Sequence, residues 1–222
     1  MDRRDVTQLD ETLDEKTTPR PDTAKCRQIL NGAREVFLSH GYDGASMDQI
    51  ARTAGVSKGT LYVYFPGKEA LFRELILKDR MKQAEALLDC AAGEGNLHDS
   101  LTKIGRVFIE QMFNAERLST IRMVIGAIEK FPEFGVLLYD AGPKKGMETF
   151  SRFLEKYVES GELTCPDTEL AACQFMDLCS SRIGKRAMFH PGQLPDQDEV
   201  NANVESAVRM FLAAYGTDKS KP

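Results

Sequence analysis

The stretch "GVSKGTLYVYFPGKEALF", residues 55–72, decides how this chain folds. Its centre, Thr60-Leu61-Tyr62-Val63-Tyr64-Phe65, is β-branched and aromatic, the composition of a strand. The residues before it argue otherwise. In "SMDQIARTAG", residues 46–55, Ser46 and Gln49 have the spacing of a capping box, and Met47, Ile50, Ala51 and Ala54 share one helical face. Gly55 ends that helix after only about eight residues, and Ser57 offers a new N-cap two positions later. A strand over 60–65 needs a partner, and nothing nearby alternates with a period of two. Two short capped helices separated by a Gly-containing turn form a helix-turn-helix. The segment is therefore expected to be a helix, with tertiary packing overriding its local propensity.

Outward from this pair the periodicity is helical nearly everywhere. Residues 25–40 align Ile29, Ala33, Val36 and Phe37 in one apolar stripe, and Gly41 follows where a left-handed cap is wanted. Residues 68–92 read as one long helix that "AGEGN" breaks. Helices are expected over 97–113, 117–130, 132–140, 146–159, 167–189 and 199–215, the last two parted by "HPGQLPDQD". The fold class is all-α: a three-helix domain with the helix-turn-helix over 24–70, then a larger helical domain over 71–222 (about nine helices). Residues 1–23, poor in apolar groups, rich in charge and carrying Pro-Arg-Pro, are expected to be a disordered arm.

Composition narrows the function. No apolar run approaches the roughly 18–20 residues that span a bilayer, and the first residues lack a signal peptide's apolar core, so a cytoplasmic protein without a membrane partner is expected. Five cysteines, an odd number with no CxxC pair, speak against a disulfide framework and a zinc site. They read as small buried hydrophobes, with redox sensing at Cys173 or Cys179 as the alternative. No metal or cofactor is expected. The net charge of −5 is segregated: −3 over residues 1–23, +2 over 24–72, −4 beyond. Only the segment holding the helix-turn-helix is positive, as a DNA-facing unit would be.

On a helical wheel of about 100° per residue, Leu61 and Phe65 fall side by side and face the preceding helices. Gly59, Thr60 and Val63 lie opposite, flanked by Tyr62, Tyr64 and Lys58. A face built for solubility would carry Glu, Lys and Gln. This one is small at its middle and forgoes propensity at Gly59, as close approach to another surface requires. A major groove suits it. Val63 and the Thr60 methyl can meet thymine methyls, and Lys58 or Thr60 can reach base edges. Tyrosine hydroxyls, Lys68 and the helix starts at Ser46 and Ser57 suit phosphates.

The span "ILNGAREVFLSHGYDGASMDQIARTAGVSKGTLYVYFPGKEALFRELI" resembles the DNA-binding domain of the tetracycline-repressor (TetR) family of bacterial transcriptional regulators over about fifty residues. The resemblance implies a recognition helix over 57–65 and a set of DNA-binding residues at Ser46, Ser57, Lys58, Gly59, Thr60, Tyr62, Val63, Tyr64 and Lys68. Many members carry histidine where this chain has Tyr64, whose hydroxyl should still reach a phosphate. "FPEFGVLLYDAGPKKGMETFSRFLEKYVESGEL", residues 131–163, is similar to the AefR-like subgroup, which implies control of efflux or quorum-sensing genes. The resemblance further implies a helical C-terminal domain that dimerises and binds a small-molecule effector, and a double-stranded DNA operator as partner.

Periodicity points to where a homodimer would join. The last helix spaces Val200, Val204, Ala207, Val208, Phe211, Leu212 and Tyr215 on one face, and the one before it is apolar nearly all round. A helix with two apolar faces needs two neighbours, one of which can be another subunit. The expected interface is Phe175, Cys179, Ile183, Val204, Val208, Phe211 and Leu212. Phe108, Met112, Met123, Met147, Phe150 and Met176 are the expected lining of an adaptable apolar effector pocket. An enzyme is not expected, because His40, His98 and His190 are far apart with no nucleophile motif or carboxylate pair around them. The remaining alternative is a helical protein-interaction adaptor that does not bind DNA.

Overall fold

The computed structural model describes residues 23–78 and 96–220. The chain forms α1 (Ala24–Gly44), α2 (Met47–Thr53), α3 (Lys58–Tyr64) and α4 (68–78, to the edge of the first described segment). The second described segment forms α5 (Leu97–Met112), α6 (Ala115–Ala127), α7 (Pro132–Tyr139), α8 (Lys145–Glu159), α9 (Thr168–Ser180), α10 (Ile183–Phe189) and α11 (Gln197–Tyr215). The expected arm at 1–22 and the extension of α4 to 92 lie outside the described residues. Among the described residues there is no strand, and no helix is long and apolar enough to cross a membrane. The fold is all-α.

Side-chain caps set most of the starts. Thr23, Ser46, Ser57, Asn96, Asn114, Asp167 and Asp196 each accept a hydrogen bond from a backbone N–H in the first turn they open. α1 runs through Gly41, which takes φ 68° and kinks the helix. The segment that looked like a strand is α3.

Two junctions differ from the sequence reading. Helices expected over 132–140 and 146–159 run on into one another through a π-helical turn, Asp140–Lys144. Pro143 inside it has no N–H to donate, and the wider turn accommodates that loss without ending the rod. The single helix expected over 167–189 is instead broken into α9 and α10. Arg182 there has φ 69°, the one positive φ at a non-glycine among the described residues. The Asn203 amide on α11 donates to the carbonyls of Cys179 and Ser181, satisfying the backbone where the helix stops.

The helices close around two apolar cores. In the first, α1 to α4 enclose Phe37, Leu61, Phe65 and Phe72, and Val124 and Ala127 of α6 and Phe134 of α7 complete it. Rings of Phe37, Tyr42, Phe72, Phe131 and Phe134 stack and meet edge-on at 4.5–5.9 Å between centroids. Leu71, Phe72, Leu75 and Ile76 belong to this core, so a boundary at residue 70 cuts through it. The second core joins α5, α8, α9 and α11 around Phe150, Phe153, Phe175 and Phe211. α5 approaches so closely at Gly105 that a Cβ would sit 2.8 Å from Val204 and 3.1 Å from the Cys179 sulfur.

Candidate nucleic-acid interface

α2 and α3 form a rigid pair because both ends of each are specified locally. At α2 the Ser46 hydroxyl accepts from the Gln49 N–H, and the Gln49 side chain accepts from the Ser46 N–H at 3.0 Å, a complete capping box. Gly55 takes φ 63° in the turn, and Ser57 accepts from the Thr60 N–H at 3.0 Å to start α3. Leu61 and Phe65 are fully buried in the first core and lock the rotation of α3 about its axis. Burying each is worth about 1.5–3 kcal/mol.

That rotation leaves the opposite face open. Val63 is 80% exposed and Tyr62 46% exposed, side by side on the face turned away from the core. A Cβ at Gly59 would meet nothing nearer than the Ser57 hydroxyl at 3.8 Å, so packing does not call for a glycine there. Ser46 and Ser57 are exposed at the two helix starts, and Thr60 is half-buried with its hydroxyl on Ser57. Tyr64 leans back onto the first core and is only partly exposed.

Lys58 holds Asp48 of α2 at 2.6 Å, with both side chains more than half exposed. The hydrogen bond from Lys58 to that carboxylate pushes the lysine pKa up from its ordinary value. Asp48 and Arg52, one turn apart on α2, line a shallow hollow with Lys58 and belong to the same face. Neither residue is among those expected from the sequence. Their i, i+4 spacing opposite Ile50 was the available signal.

Lys68 does something else. Its ammonium donates to the carbonyls of Tyr42 at 2.8 Å and of Asp43 and Ala45 at 3.3 Å, and it sits 4.6 Å over the Tyr42 ring. It staples the end of α1 to the start of α4, so it is not available to a phosphate as the sequence reading expected.

The other two groups of expected site residues are dispersed or turned inward. Phe175, Cys179, Ile183, Val204, Val208 and Phe211 are buried in the second core of this same chain and offer no surface to a second copy; only Leu212 is partly exposed. Their stripes were real, but they face the chain's own interior. The outward faces instead carry Leu170 and Gln174 on α9 and Ala202, Met210 and Ala213 on α11. Phe150 lies in the second core with Phe108 and Met176 packed against it, while Met123 packs on the first, so the six expected pocket residues do not line one cavity. Met147 meets the Cys173 thiol at 2.7 Å between α8 and α9, and Met112 is half-buried at the end of α5.

Residues 29–75 match the family described as bacterial regulatory proteins, tetR family. Residues 99–217, more than half of the chain, match the AefR-like transcriptional repressor C-terminal domain. The chain belongs to the TetR family. As a TetR-family protein it is a DNA-binding transcriptional regulator, not an enzyme. An uncharacterized HTH-type transcriptional regulator of Mycobacterium tuberculosis is 25% identical over 203 residues, 91% of this chain and 94% of that one. A TetR-family regulator from Mesorhizobium loti superposes with a TM-score of 0.79 at 28% identity, covering 87% of this chain and 97% of that one. The flavonoid-responsive regulator FrrA superposes with a TM-score of 0.73, also at 28% identity, over 87% of this chain and 98% of FrrA.

Proposed function

We propose that this TetR regulator is a cytoplasmic, ligand-responsive repressor that binds a near-palindromic operator as a homodimer and is released by a small apolar effector. The observation that carries the reading is the open face of α3: Gly59, Thr60, Tyr62 and Val63 stand out from a helix whose back is anchored by Leu61 and Phe65. A major groove admits such a helix, and two copies related by a twofold axis would read half-sites about 34 Å apart.

In this reading Val63 and the Thr60 methyl contact thymine methyls, and Gly59 lets the backbone approach the base edges. Lys58 exchanges Asp48 for a base acceptor. Ser46, Ser57 and the Tyr62 and Tyr64 hydroxyls hold phosphates and set register without reading sequence. Lys68 contributes by holding α4 against α1. Dimer contacts fall on the outward faces of α9 and α11, where small residues and Met210 allow close helix packing. The flavonoid response named for FrrA supports a flat, largely apolar effector.

The test is an operator recovered by genome-wide footprinting, then titrated by gel shift. Affinity should fall steeply with rising salt. Lys58→Ala and Tyr62→Phe should each weaken binding by about 1–3 kcal/mol. Unchanged affinity in both variants would show that the wrong face has been assigned.

A further inference from the structure

A groove of about 600 Å³ runs between the C-terminal half of α1 and α6, a size within the range of small-molecule sites. Phe37, Met123 and Phe131 supply its apolar lining, and Arg122 and Gly126 stand in its α6 wall.

Gly126 is the informative residue. It lies in the last turn of α6, one residue from its end, where a glycine would serve as a cap if its φ were positive. Neither usual reason for a glycine applies. Its φ is not positive, and a Cβ built on it would meet nothing within 4 Å. What the missing side chain does achieve is to keep the groove wall open.

The polar groups define what would fit. The Arg122 Nε donates to the Met188 carbonyl at 2.8 Å and its Nη2 to the Ala187 carbonyl at 2.6 Å, which fixes the guanidinium plane. Nη1 has no partner among the described residues, so a side chain that lines the groove retains two N–H donors. The acidic group of the groove, Asp43, is already neutralised by Lys130. The unmatched charge is therefore positive, and the apolar lining favours a ring system.

The groove also spans a joint. At one end Arg34 of α1 donates to the Thr120 hydroxyl at 3.0 Å and pairs with Glu116 at 3.2 Å; at the other, Asp43 pairs with Lys130. α1 shares its core with α3, so a molecule wedged between α1 and α6 acts on the element that orients the recognition helix.

We propose that this groove binds a flat aromatic carboxylate, at a site separate from any cavity of the second core, and that occupancy lowers operator affinity. The regulatory half rests on the operator-binding reading above; the binding half does not.

The experiment uses the full chain labelled with ¹³C-methyl methionine, titrated with 2-naphthoate. Met123→Leu assigns the Met123 methyl among the nine methionines. The Met123 resonance should shift saturably while those of Met147 and Met176 stay in place. Gly126→Leu should leave melting temperature and ligand-free operator affinity intact and weaken naphthoate about tenfold or more. A shift confined to Met147 or Met176, a Met123 signal unmoved at about 10 mM probe, or unaltered binding in Gly126→Leu overturns the site. If Met123 shifts but saturating naphthoate leaves operator affinity unchanged, the regulatory half fails. If the protein has no salt-dependent affinity for any footprinted DNA, the operator reading fails while the groove assignment stands.

Discussion

Replacing Lys68 by methionine separates a structural staple from a phosphate contact. The short bond to the Tyr42 carbonyl is charge-assisted and partly buried, worth about 1.5–3 kcal/mol. The two 3.3 Å bonds are long and add little; the exposed Asp43 carbonyl can also turn to water, while the part-buried Ala45 carbonyl cannot. The ammonium over the Tyr42 ring adds about 0.5–1 kcal/mol. The methionine keeps most of the aliphatic stem's packing, so the net loss should be about 2–4 kcal/mol. At about 2–4 °C per kcal/mol for a chain of this size, the melting temperature should drop by about 4–16 °C. The chain has no tryptophan, so helical circular dichroism is the appropriate signal. Operator titrations at several salt concentrations supply the second readout. A lost phosphate contact would reduce the slope of log K against log salt by about 1, and a lost staple leaves the slope of the folded protein unchanged. A Lys68→Met protein with wild-type melting and a shallower salt slope would refute the reasoning.

Two further outcomes follow from close packing and burial. A Cβ on Gly32 would lie 2.7 Å from the backbone of Ala54, so Gly32→Ala should force α1 away from the turn between α2 and α3. It should destabilise the fold by about 1–3 kcal/mol in a thermal melt. Burial pushes the Cys179 thiol from its ordinary 9.0 up to about 12, so the native chain should resist iodoacetamide at Cys179 where the urea-unfolded chain is alkylated, as peptide mass spectrometry would report. The folded thiol keeps a proton that the unfolded one loses. Its contribution is therefore flat below about pH 9, and stability falls as pH rises from there toward 12.

The recognition element was legible because its determinants are local. Ser46 with Gln49, Gly55 at positive φ, Ser57 with Thr60, and the i, i+4 pair Leu61 and Phe65 all act within twenty residues. The face that α3 leaves open then follows from helix geometry alone. Features decided elsewhere were not legible. Lys68 finds its acceptors 23 to 26 residues upstream, and the break at Arg182 rests on Asn203, 22 residues beyond Ser181. The stripe through Val204, Val208 and Phe211 was plain in the sequence, yet only the packing of α5, α8 and α9 around it assigned that stripe to the chain's own core. Periodicity states that one side of a helix avoids water. What covers that side, which carbonyl a long cation reaches, and whether six soft side chains meet in one place depend on chain segments brought together only by the tertiary fold.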